Sequence, residues 1–336
     1  MKSAVEETNY FYRRCLRPEL STDKLKELIE LTLKHPHLSR FAAVLPVKSI
    51  NDLALDEKKV AKFNAIKMAI IASNLKQQSF IRSLIKELER HSIAVILLKS
   101  SGFNGYLYPN QHCRGNSDID ILIKATDKEQ VEQLLSNVAK LHINTNPQPF
   151  DGLYEQTWVG KHDPTLIVDI HTELTNPKLF SINTKEIFSQ STQHPLYQTQ
   201  ALRIMAPVHN FIHAALHIFG DGYLPHHSLV DAALLCDKES INWQVLRNES
   251  KSWGCKLITN LLIDELNSKT HTSNLPLERS TVSLRRTIGL YLLGKRYPVK
   301  SRRRKVQQAL LQLLLVDNIT RTLATQALYI RLKLFS

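Results

Sequence analysis

Asp118 and Asp120 are separated by one isoleucine in the run Asp118-Ile119-Asp120-Ile121-Leu122-Ile123. On a strand, successive side chains face opposite ways, so the two carboxylates share one face and Ile119 and Ile121 share the other. Like charges that close repel, and a cation between them relieves the repulsion. Magnesium suits the place. It takes hard oxygen ligands, keeps several waters, and is usually held by one or two carboxylates together with substrate phosphates; manganese accepts the same oxygen donors. A second apolar run, Leu166 to Ile170, carries Asp169 and is followed by His171 and Glu173. The same alternation predicts Asp169, His171 and Glu173 on one face, with Asp169 as the third carboxylate of a two-metal site or as a base on an attacking hydroxyl. An isolated Asp-x-Asp has a plainer reading, the solvent face of an edge strand.

The neighbouring residues favour chemistry over that plainer reading. Lys99-Ser100-Ser101-Gly102 follows the apolar run Ile93 to Leu98, where a strand passes into a helix and free backbone N–H groups favour a phosphate. Ser100 and Ser101 add hydroxyls, Gly102 permits close approach of the backbone, and Lys99 supplies a point charge. Arg114, four residues before Asp118, is able to fork onto phosphate oxygens. Phosphate donors beside metal-holding carboxylates are what phosphoryl-group chemistry needs, because positioning and charge neutralisation supply most of its catalysis.

These segments together resemble a known family. Leu98-Lys99-Ser100-Ser101-Gly102, Tyr108-Pro109, Arg114-Gly115-Asn116-Ser117-Asp118-Ile119-Asp120-Ile121-Leu122-Ile123 and Val168-Asp169-Ile170-His171 are similar to the uncharacterised nucleotidyltransferase family of the polymerase-β superfamily. His217 and Leu229-Val230-Asp231-Ala232-Ala233-Leu234-Leu235 resemble that family's helical block. The resemblance implies that Asp118, Asp120 and Asp169 hold Mg2+ or Mn2+ and are catalytic. It implies that Lys99 and Arg114 take the triphosphate of an NTP and that Ser100, Ser101 and Gly102 stand for the superfamily's Gly-Ser turn. Ser117, His171, His217 and Asp231 join them around the nucleotide. The activity implied is transfer of a nucleoside monophosphate to an acceptor (RNA, protein or a small molecule) with release of pyrophosphate. A different class of function, a non-catalytic nucleotide- or RNA-binding adaptor on the same fold, predicts salt-sensitive RNA binding that is indifferent to metal.

The elements that must position these residues alternate. Residues 1–92 read as helices: Ser21-Thr22-Asp23 precedes an apolar stripe, and a long helix beginning near Lys59 carries Val60, Phe63, Ile66, Ile70, Ile71, Leu75, Phe80, Ile81, Leu84, Ile85 and Leu88 as a scaffold for the sheet. Tyr10-Phe11-Tyr12 beside Arg13 and Arg14 reads as an amphipathic core helix, with base stacking as the alternative. Residues 93–205 carry the strands, a helix with Val131, Leu134, Leu135 and Val138 toward the sheet, a loop at Asn144 to Asp151, and a hairpin pairing Tyr154 to Val159 with Leu166 to Ile170 through Lys161-His162-Asp163-Pro164. From 206 to 336 helices return, with His209, His213 and His217 in a stripe one turn apart that reads as an interface or substrate-facing surface rather than a zinc site. The fold class expected is α+β, a small mixed sheet flanked by N-terminal helices and a C-terminal helical domain.

At 336 residues, 43% of them hydrophobic, the chain is long enough for two or three cores, and a formal net charge of +13 favours anionic partners. Lys295, Arg296, Lys300, Arg302, Arg303, Arg304 and Lys305 fall in 295–305 with no acid among them, followed by a very apolar helix with Ala309, Leu310, Leu311, Leu313, Leu314, Leu315 and Val316. The segment 295–316 suits RNA phosphates or peripheral contact with an anionic surface, or is a charged turn between core helices. No apolar run reaches the roughly 18 residues a transmembrane helix needs. The acidic N-terminus and four scattered cysteines, Cys15, Cys113, Cys236 and Cys255, suggest no secretory signal, disulfide framework or zinc site, and so a cytoplasmic protein.

Overall fold

The computed structural model describes residues 4–12, 14–15, 20–46, 50, 53, 55–108, 114–138, 140–143, 154–220, 227–269, 275 and 302–334. The chain divides into two compact units, residues 1–172 with 184–206, and residues 173–183 with 207–336. The N-terminal helices therefore share a unit with the sheet.

In the first unit, α1 (Ala4–Tyr12), α2 (Thr22–Lys34) and α3 (Pro36–Ser39) precede the 34-residue α4 (Glu57–Arg90). Phe11 and Tyr12 are buried against Phe41, as the core reading expects. The Asp56 carboxylate caps α4 by accepting from the Lys59 N–H at 2.8 Å. The helix ends where Ser92 turns into the left-handed region, φ +54°, and the Ile93 N–H bonds back to the Leu88 carbonyl. Next come β1 (Val95–Leu97), α5 (Lys99–Phe103), β2 (Ile119–Leu122), α6 (Lys128–Gln133), β3 (Leu141–Ile143), β4 (Glu155–Gly160), β5 (Ile167–His171), α7 (Thr184–Gln190), β6 (Thr192–Gln193) and β7 (Leu202–Ile204).

The strands form one sheet in the order β3-β4-β5-β2-β1-β7-β6. β2 runs parallel to β5 and β1 parallel to β7; the other pairs are antiparallel, so the architecture is the expected α+β mixed sheet. One face of the sheet is apolar. Val95, Leu97, Ile119, Ile121, Ile123, Trp158, Val168, Ile170 and Leu202 pack with Ile81, Leu84 and Leu88 of α4 and with Val131, Leu134 and Leu135. The long helix is thus the expected scaffold, and strict alternation sends Asp120, Thr157, Asp169 and His171 to the opposite face.

The second unit contains α8 (Pro207–Gly220), α9 (Ser228–Lys238), α10 (Trp243–Ser252), α11 (Lys256–Lys269), α12 (Arg302–Leu315) and α13 (Ile319–Leu334). Its centre is α8, buried at nearly every position. Asp317 caps α11 by accepting the Lys256 N–H at 2.7 Å, and Asn242 caps α10 by accepting the Val245 N–H at 3.1 Å. A cavity of about 400 Å³ lies within this unit, between Trp253, Lys251, Asp317 and Arg321. No helix among the described residues is long and apolar enough to cross a membrane.

Two expectations meet a different outcome, and a third lies partly outside the described residues. β5 ends at His171, and Glu173 falls in the second unit, so it does not extend the strand face. The histidine stripe is not solvent-facing along its length: His209 is fully buried, against the Trp253 ring at 5.3 Å and the Glu249 carboxylate at 2.9 Å, and His213 is 5% exposed, while His217 is half-buried. Of the basic segment, Lys295, Arg296 and Lys300 lie outside the described residues, while Arg302 to Lys305 form the first turn of α12. Cys113, Pro109, His226 and the loop at Asn144 to Asp151 also lie outside them.

Candidate active site

The β2–β5 register decides the geometry of the site. Asp120 and Asp169 are directly opposed on neighbouring parallel strands, and the next pair on the same face is Leu122 with His171. Adjacent strands lie about 5 Å apart, so two carboxylates opposed on one face sit within mutual electrostatic reach. Asp118 stands one step outside the N-terminus of β2, half-buried, and raises the Asp169 carboxyl together with Asp120. Two of the three acids named by sequence are thus directly opposed, and the third lies within electrostatic reach of them.

Antiparallel pairing of β1 with β2 delivers the lysine. The Leu98 N–H donates to the Asp120 carbonyl at 3.0 Å, so the chain leaves β1 beside the acidic end of β2. Lys99, the next residue, has a left-handed backbone, φ +49°, an uncommon state for a residue with a Cβ. Its ammonium lies 2.6 Å from Asp120 Oδ1, and His171 Nε2 lies 3.2 Å from the same oxygen. Asp120 is 0% exposed and the Lys99 side chain 21% exposed. Asp120 floors the site, and Lys99 reaches its edge.

Burial and neighbours set the acids apart. Burial raises the Asp120 carboxyl, but the Lys99 ammonium and then His171 more than offset this and hold it well below the usual carboxylate range. Burial pushes the Asp169 carboxyl up to about 6, with Asp120 and Asp118 adding to the rise and a hydrogen bond from Thr157 opposing it. Burial and then Asp120 raise Asp118, while Lys99 and a hydrogen bond from Ser117 pull the other way. The site thus pairs a firmly ionised acid with one poised near neutrality, a separation typical of acid–base work.

The remaining residues fall into three groups. Ser100, Ser101 and Gly102 form the first turn of α5 and are buried. Gly102 has a structural reason of its own, since a Cβ there would meet the Leu97 carbonyl oxygen at 2.5 Å. Arg114 is 1% exposed and engaged by neighbours, and the Gly115 N–H behind it bonds the Arg40 carbonyl at 2.6 Å. Asn116 braces the approach to β2: its side-chain amide donates to the Asp118 carbonyl, and Gln77 of α4 bonds its own carbonyl at 3.5 Å. His217 and Asp231 belong to the second unit, on α8 and α9, where His217 lies between His213 at 6.4 Å and His227 at 6.1 Å and Asp231 is buried.

Three further residues act on the cluster that the sequence alone did not single out. Thr157 is opposite Asp169 on β4 and hydrogen-bonds its carboxyl; Glu155, opposite His171, adds a fourth acid near Lys99. The predicted hairpin contained the signal, because once the register is fixed, alternation puts Glu155 and Thr157 on the acidic face. His194, fully buried, accepts the Leu196 N–H at Nδ1, so its Nε2–H donates to the Gly102 carbonyl at 3.0 Å and clamps the Lys99 turn from behind. Ninety-two residues separate His194 from Gly102, and no local pattern announces that bond.

The donor set fits a hard divalent cation held jointly by protein and substrate. Asp120 Oδ2 and Asp169 Oδ1 are buried and have no hydrogen-bond partner among the described residues. No group of three His, Cys, Asp or Glu among those residues forms a cage for a metal on its own. A carboxylate pair completed by phosphate oxygens and water is the usual arrangement for magnesium.

A model of the uncharacterised nucleotidyltransferases matches residues 31–264, from α2 through the sheet to α11. The chain belongs to that family. Membership places the chain in the general class of the nucleotidyltransferases. No curated protein matches it.

Proposed function

We propose that the protein is a metal-dependent nucleotidyltransferase that moves a nucleoside monophosphate from an NTP to an acceptor hydroxyl and releases pyrophosphate. The observation that carries this reading is the direct opposition of Asp120 and Asp169 on parallel strands with the Lys99 ammonium 2.6 Å from Asp120. Asp118, Asp120 and Asp169 would hold Mg2+ or Mn2+, which when bound neutralises phosphate oxygens and favours the ionised acceptor. Lys99, at the edge of the site, takes a phosphate oxygen of the NTP, with Ser101 and Arg114 the further phosphate donors that the family resemblance names. Ser117 and His171 hold Asp118 and Asp120 in place. Asp169 accepts the acceptor's proton as its oxygen attacks the α-phosphorus; the new O–P bond forms in line as the bond to the β-phosphate oxygen breaks, and pyrophosphate leaves with that electron pair.

The net charge of +13 favours an anionic acceptor, RNA before protein, and the free thiols of Cys15, Cys236 and Cys255 fit a cytoplasmic setting. The test is incubation with each α-labelled NTP, magnesium or manganese, and a cell extract, followed by separation of RNA, protein and small molecules. Stable label in one fraction, lost with Asp118→Asn, supports the reading. Label in none of them, with any NTP, would overturn it.

A further inference from the structure

The cation already present among these carboxylates is a side chain. Lys99 Nζ touches Asp120 Oδ1, and Asp118 and Glu155 act on the same ammonium through space. An ammonium is a compact point charge on a flexible stem, able to occupy the position of a hard metal ion among carboxylates and able to leave it. Its stem reaches Asp120 from the exposed edge of the site, whereas Asp120 itself is wholly buried. His171 holds the same oxygen, while Asp120 Oδ2 and Asp169 Oδ1 stay without a partner. A divalent ion arriving alone would have to enter a cluster whose buried carboxylate Lys99 already pairs, and Lys99 would lose its 2.6 Å contact with Asp120 on leaving. An ion arriving on a triphosphate brings anionic oxygens that give Lys99 a new partner.

We propose that Lys99 is an internal counter-ion that keeps free divalent metal out of the Asp118–Asp120–Asp169 cluster and transfers to the triphosphate when nucleotide and metal enter together. The proposal rests on the nucleotidyltransferase reading above. It makes the metal–nucleotide complex the species that binds, and free metal a poor ligand.

The test is Mn2+ binding to the full chain, followed by the electron paramagnetic resonance signal of the free ion, with nucleotide absent. Lys99→Gln should bind Mn2+ at least tenfold more tightly than the wild type, and Lys99→Arg, which keeps the charge, should not. Equal or weaker binding by Lys99→Gln than by a wild type that does bind overturns the counter-ion and leaves the metal-site reading standing. If neither protein binds Mn2+, with or without a non-hydrolysable NTP, both fall. Should Lys99→Gln fail to fold by circular dichroism, the wild type carries the test through the amine reactivity of Lys99, read by mass spectrometry. Saturating Mn2+ alone should raise that reactivity several-fold, and unchanged reactivity while Mn2+ binds overturns the proposal.

Discussion

The acids at the centre of the sheet differ in what surrounds them more than in what they are. Asp120 is fully buried and ionised because Lys99 and His171 share one of its oxygens, whereas Asp169 is raised to about 6 with Thr157 as the neighbour favouring its charge. A hydrogen bond to a charged group is worth roughly 1.5–3 kcal/mol. Thr157→Val should therefore lower kcat about 10-fold or more without unfolding the protein, and Thr157→Ser, which keeps the hydroxyl, should restore most of it. Steady-state rates beside circular dichroism check both. At this scale the sequence was informative where chemistry and alternation coincide: Asp118, Asp120 and Asp169 follow from their spacing in β-forming runs. Glu155 and Thr157 were hidden because an ordinary glutamate and threonine acquire meaning only from the residue opposite, and register is a property of two segments.

Secondary-structure elements fix the site through contacts that are remote in sequence. The turn from β1 into α5 is closed by Gly102 against the Leu97 carbonyl and by His194 on the Gly102 carbonyl. Gly102→Ala inserts a methyl into backbone, and overpacking of that kind costs about 1–3 kcal/mol; the midpoint of urea unfolding should fall accordingly. His194 predicts a pH dependence. Burial holds its folded pKa down to about 4 against 6.5 for the free side chain. The unfolded chain then binds the extra proton first, so stability is complete above pH 6.5 and declines as pH falls toward 4. Between pH 7 and pH 5 this amounts to about 2 kcal/mol, at roughly 1.4 kcal/mol per unit. Denaturation of wild type and His194→Gln at the two values should show the variant losing less. Long elements were legible, as α4 shows: a stripe of Phe63, Ile81, Leu84 and Leu88 at helical spacing needs only periodicity. β3, β6 and β7 were not, because two- or three-residue strands are too short to establish a period and owe their conformation to the partner strand.

Across the whole molecule the informative quantity is charge. Forty-four basic residues against 31 acidic ones give an overall field that attracts polyanions whatever the active site does. Binding of a single-stranded RNA oligonucleotide should weaken as salt rises, with a log–log slope of about −0.7 per phosphate neutralised. That dependence should persist in Asp118→Asn, because it arises outside the carboxylate cluster; an affinity indifferent to salt would remove RNA as the favoured acceptor. Class and mixed-sheet architecture were readable from the order of apolar runs. The partition into units was less so, since residues 173–183 leave the sheet unit for the helical one and 184–206 return, an exchange decided by tertiary packing rather than composition.

Two labels on one substrate test the central claim. With an NTP labelled on either the α- or the γ-phosphate, the wild type should carry the α-label into the acceptor and release the γ-label as pyrophosphate. Asp118→Asn and Asp169→Asn should each reduce that transfer by roughly 100-fold or more. Transfer of the γ-label to the acceptor, or full α-label transfer by either variant, would contradict the assignment of these carboxylates to nucleotidyl transfer.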